Sequence, residues 1–106
     1  MTIKDISSQA TLDTNKVLNF RAYTYGKLLY VHLTLRPGVT DQSNVVTGLP
    51  YHIKANYGVL PMFHMNAVDA TSNGVCAYID TFIQYRGSTT QGTGGTTYSG
   101  MFFIDY

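Results

Sequence analysis

Four side chains in the stretch from Val59 to Ile83 are spaced so that they could do chemistry together. Read as two strands around the turn Thr71-Ser72-Asn73-Gly74, the stretch sends His64, Asn66, Tyr78 and Asp80 to one face, since successive side chains of a strand alternate. Phe63, Met65, Ala67, Ala77 and Ile79 go to the other face, the expected core face. The polar set offers acceptors from Asp and Asn, donors from His and Asn, and an aromatic ring. A sugar presents vicinal hydroxyls and an apolar ring face, so it matches this set better than a bond-breaking reaction does. Arg86, just past the second strand, adds a charged donor for an acidic sugar or a phosphate.

A slip of one residue would set the core face against the polar face, so only registers of one parity are allowed. With a loop of Thr71 to Asn73, Asn66 faces Tyr78 and His64 faces Asp80. The next allowed register sets Asn66 against Asp80 and keeps the same four residues together.

Other chemistries fit less well. His32, His52 and His64 are too far apart in sequence for a compact ligand pair, and one cysteine makes no thiolate set, so no metal is expected. Gly92-Thr93-Gly94-Gly95 lacks the Lys-Ser/Thr pair of a phosphate loop and precedes no helical pattern. Only Asp69 and Asp80 lie in the informative hairpin, which serves paired-carboxylate glycoside cleavage poorly. No nucleophile-elbow motif is present. The expectation is a protein without cofactor that is not an enzyme.

The elements that must position these residues are strands. The chain has 106 residues, enough for one domain. Only 12% are charged, 44% are hydrophobic, and 10 Gly, 9 Tyr and many Thr favour turns and strands over helices. So little charge leaves much uncharged surface for copies of the chain or a partner to cover. The seven Lys and Arg form no run and the formal net charge is +1, so the footprint for nucleic acid or an anionic membrane is missing. Cys76 is alone, which excludes an internal disulfide, and its parity places it on the polar side near Tyr78. No apolar run reaches membrane-span length, and the start lacks the apolar stretch of a signal peptide.

Residues 1–15 read as a polar, weakly patterned lead-in, a tail or linker, with Ile3 and Ile6 its only large early apolar residues. From Lys16 the period is two: Leu18, Phe20 and Ala22 alternate with polar residues, Tyr25-Gly26-Lys27 turns the chain, and Leu29, Val31, Leu33 and Leu35 complete a hairpin. Arg36-Pro37-Gly38 ends it. Val45-Val46 starts a short strand that stops at Gly48-Leu49-Pro50, and Tyr51 to Ile53 forms another at the start of an irregular stretch. Arg86 to Gly95 reads as a flexible loop, and Tyr98 to Tyr106 as a closing strand. Six to eight short strands imply an all-β fold, a small antiparallel β-sandwich or β-barrel over residues 16–106.

The order of these features resembles the receptor-binding head domains at the tail tips of bacteriophages, most of all those of lactococcal siphophages. The resemblance rests on a strand hairpin, Gly48-Leu49-Pro50 before an irregular segment, Phe63-His64-Met65-Asn66, the Asn73-Gly74 turn and the aromatic strand Cys76 to Ile79. It covers Lys16 to Tyr106 as architecture. It implies a homotrimeric, non-catalytic adhesin of the virion tail tip or baseplate that binds host cell-envelope saccharides near subunit interfaces. The family's His falls on His64, its Asp position holds Asn66, and its Trp position lies near Tyr78 or Ile79, making Tyr78 the stacking group. The family's C-terminal Arg has no clean counterpart beyond Arg86. Residues 1–15 would be the neck to other tail proteins. The alternatives are a structural tail or baseplate module without glycan binding and a cellular carbohydrate-binding module.

Overall fold

The computed structural model describes residues 2–53, 60–64, 75–87 and 96–105. Among them the chain is all-β and antiparallel, with a single 3-10 turn at Ser7–Gln9. The strands are β1 (Ile3–Asp5), β2 (Thr11–Leu12), β3 (Val17–Tyr25), β4 (Leu28–Leu35), β5 (Ser43–Thr47), β6 (His52–Ile53), β7 (Leu60–His64), β8 (Val75–Ile79), β9 (Phe82–Arg86) and β10 (Thr96–Asp105). Their spatial order is β1-β3-β4-β10-β7-β8-β9-β5-β2, with β6 beside β10.

The two edges of this sheet, β1 and β2, come from the same N-terminal segment. Five residues join them, and at ~3.3 Å per residue they span no more than about 20 Å. The sheet must therefore curl until its edges nearly meet. β1 pairs with β3, β2 pairs with β5, and Ile6 between them is 0% exposed. The Ile6 amide donates to the Ala22 carbonyl and the Ala22 amide to Ser7 Oγ. Residues 2–15, expected as a neck or linker, form a strap across the opening of the half-barrel. Its apolar residues were too few to announce this, because burial of one isoleucine and nonlocal strand pairing do the work.

The β3–β4 hairpin matches the expectation, turning at Gly26, whose φ of +60° suits glycine. One detail differs. A register irregularity between Val17 and Asn19 buries Val17 and leaves Leu18 half exposed, as a bulge does when it re-aims the following side chains. The core fills the concave side with Phe20, Leu29, Val31, Leu33, Leu35 and Tyr98 on one wall and Val46, Tyr78, Ile83 and Tyr85 on the other.

The second hairpin also departs from expectation. Its strand does not run on to Ile83: it breaks at Asp80 and Thr81, with Asp80 at φ +54°, and β9 turns back with Phe82 opposite Ile79. Aspartate tolerates that conformation better than most residues, so no glycine marks the turn. In β10, Phe102 and Ile104 point inward while Met101 and Phe103 point out.

Candidate functional site

The expected polar cluster does not assemble. Leu60, Pro61 and Met62 stand opposite Tyr78, Ala77 and Cys76, so Leu60 takes the place expected of Asn66. Only the Phe63 and His64 end of β7 pairs with β10, where His64 faces Tyr98. β7 thus leaves one partner for another, which a reading of two local strands cannot foresee. His64 and Asp80 lie at opposite ends of the β7–β8 pair, on the order of 20 Å apart along the strands. Asn66, the Thr71 to Gly74 turn and residues 88–95 of the expected flexible loop lie outside the described residues.

Tyr78 is corrected as well. Its side chain is 0% exposed and tilts against Phe102 with 5.5 Å between ring centroids. Its hydroxyl donates to the Tyr51 carbonyl at 2.5 Å. A ring packed in this way cannot stack on a sugar. Cys76 is buried on the same side, contrary to its expected polar setting. Burial pushes both the thiol and the phenol up in pKa, with the Asp80 charge as a second cause for Tyr78. A thiol held protonated in this way is a poor nucleophile. Tyrosine was read as polar, but its ring is large enough to prefer the core once the hydroxyl finds an acceptor.

Asp80 is exposed at the β8–β9 turn, and its partner is His52 rather than His64: His52 Nδ1 lies 2.8 Å from Asp80 Oδ1. With the Tyr78–Tyr51 bond, this contact fastens β6 and its approach to β8.

Arg86 belongs to a polar ladder that sequence reading found only in part. On the convex side of β5, β9 and β8, Asn44 is level with Gln84, Gln84 with Ala77, and Arg86 with Val75. Gln84 Nε2 donates to Asn44 Oδ1 at 2.9 Å, and Arg86 Nε donates to Gln84 Oε1 at 2.7 Å. Gln84 is thereby oriented from both sides, and the guanidinium edge of Arg86 is held in one direction. Partly exposed Phe82 lies on the same face, two residues from Gln84. At the far end the Gly87 amide donates to Asp41 Oδ1 at 2.8 Å. The signal for Gln84 was its period of two with Arg86 and for Asn44 its alternation with Val45, but their pairing is nonlocal.

The convex side of β1, β3, β4 and β10 has a different character. Arg21, His32 and Ser99 form one cross-strand row, with His32 Nδ1 and Ser99 Oγ sharing a hydrogen bond of 3.0 Å. A serine on an imidazole is half of a nucleophilic arrangement. The base in such a pair is normally oriented by an acidic third group; here the cross-strand neighbour on the other side of His32 is the cation Arg21. Beyond this row the face turns apolar: Tyr23 and Tyr30 stack with centroids 6.4 Å apart, next to Ile3, Tyr25, Leu28 and Met101, around a groove of about 490 Å³.

No family model, curated protein or solved structure matches the chain.

Proposed function

We propose that this domain is a non-catalytic saccharide-binding head, an adhesin of a phage tail tip or baseplate that works in homotrimeric copies against host envelope glycans. The observation that carries the reading is the Asn44–Gln84–Arg86 ladder beside Phe82 on an exposed strand face. Amide and guanidinium groups held by mutual hydrogen bonds match the paired hydroxyls of a sugar, and a phenyl ring accepts its apolar side. Arg86 favours sugars that carry a carboxylate or phosphate. The order of strands and turns that resembles phage head domains supplies the setting. One shallow site of this kind is weak, and several on one particle multiply the effective affinity.

The test is binding of the purified domain to lactococcal wall polysaccharide and to a printed array of neutral and acidic glycans. Arg86→Ala and Gln84→Ala are expected to weaken binding about tenfold or more at unchanged stability, the scale of one charge-assisted hydrogen bond. Binding that survives both would remove the site. A structural tail module is the second reading, favoured by the breadth of the apolar face on β1, β3, β4 and β10; it requires that no glycan be bound.

A further inference from the structure

We propose that the groove on the convex face of β1, β3, β4 and β10 binds a small amphiphilic acid, its apolar chain lying along Tyr23, Tyr30 and Met101 and its carboxylate received by Arg21, His32 and Ser99. Two observations, made on different residues, lead there. The first is the groove itself, about 490 Å³ in volume and lined by Ile3, Leu28 and Met101 beside three tyrosines. A small-molecule site has this size and is mostly apolar, with a few polar groups that orient the ligand. Tyr23 and Tyr30, stacked with centroids 6.4 Å apart, supply its aromatic surface.

The second is a row of donors at one end. Arg21, His32 and Ser99 stand abreast on β3, β4 and β10, each two residues along its strand from Tyr23, Tyr30 and Met101. Side chains two residues apart on a strand share a face about 6–7 Å from one another, so the row borders the groove. His32 Nδ1 and Ser99 Oγ hold each other at 3.0 Å. Either tautomer leaves this pair one further donor: Nε2–H when the serine hydroxyl donates to Nδ1, and the serine O–H when Nδ1–H donates to the serine. Arg36 and Arg86 direct an Nε donor to Thr14 and Gln84, whereas Arg21 donates to no described residue.

Donors at one end and apolar surface over the rest select a ligand with one anionic head and an apolar body. Asp5 stands opposite Tyr23 on β1 within reach of the Arg21 charge, and its Oδ1 accepts from the Ser7 amide at 2.9 Å. The head group is therefore held by aimed donors rather than by a net positive field, which suits a carboxylate that accepts two hydrogen bonds. Asp5 also makes an alkylammonium the competing occupant. A membrane fits less well, because the chain has a net charge of +1 with no run of Lys or Arg, and anionic bilayers are recognised by clustered basic residues. The groove shares no residue with the Asn44–Gln84–Arg86 ladder, so acid binding here is independent of glycan binding there.

The experiment is isothermal titration of the intact chain with octanoate, octanol and octylammonium at two protein concentrations about tenfold apart, and with vesicles of equal parts phosphatidylglycerol and phosphatidylcholine. Octanoate should bind saturably and about tenfold or more tightly than octanol, the scale of one charge-assisted hydrogen bond, and octylammonium should bind most weakly. Arg21→Gln should bring octanoate down to the affinity of octanol, and Met101→Ser should weaken both alike. Arg21 and Met101 are exposed, so both variants are expected to fold, and circular dichroism checks that they do. No binding of octanoate, equal or tighter binding of octanol or octylammonium, or the full preference for octanoate kept in folded Arg21→Gln would overturn the inference. So would vesicle binding without octanoate binding, which would put a membrane on the face, or an affinity that falls as protein concentration rises, which would put a second copy there.

Discussion

The hydroxyl of Tyr78 donates to the backbone carbonyl of Tyr51, tying β8 to the approach of β6 from inside the half-barrel. Tyr78 is therefore a structural residue, and its substitution should read out in stability. Tyr78→Phe strands a part-buried carbonyl and is expected to cost about 1–3 kcal/mol. Tyr78→Ala also empties a core site and should cost about 3–5 kcal/mol. Urea unfolding measures both; unchanged midpoints would contradict this placement.

That misplacement shows where sequence was legible and where it was not. Strict alternation marked the β3–β4 hairpin because both strands have one apolar face and their turn is local. In β8 both parities carry residues a core accepts: Cys76 and Tyr78 on one side, Ala77 and Ile79 on the other. The choice between them depends on β7, which divides its pairing between β8 and β10. Arg86 was found by its position after a strand, whereas Gln84 and Asn44 needed the β5–β9 register to become its neighbours. The strap at 2–15 was invisible for the same reason, since both its partners are remote in sequence.

The strap makes its own prediction. Ile6→Ala removes a fully covered side chain at the point where the sheet edges approach and should cost about 2–5 kcal/mol. Ile3→Ala, three residues earlier and largely exposed, should shift monomer stability by no more than about 0.5 kcal/mol. Equal effects of the two, measured by denaturant titration at low protein concentration, would mean that the segment is not closed over the core.

Alkali should unfold the domain through its interior. Burial raises the folded-state pKa of Tyr78 and Tyr85 above the ordinary 10.0, and that of Cys76 above 9.0. A raised value favours the neutral form in the fold, so the contribution is whole below the unfolded pKa and is lost as pH climbs toward the folded one. Stability should therefore fall from about pH 9 upward, first through Cys76 and then through the tyrosines. Tyrosinate absorbance should show Tyr78 and Tyr85 ionising only together with loss of structure. Free titration of every tyrosine in the folded protein would contradict their burial.

Glycan binding at the polar ladder is tested by titration of the purified chain with acidic and neutral glycans found to bind on the array, comparing the parent with Arg86→Ala. The parent should bind saturably without turnover of the glycan, and the variant should bind about tenfold or more weakly at unchanged stability. Absence of glycan binding by the parent, or equal binding by both proteins, would contradict binding at the ladder.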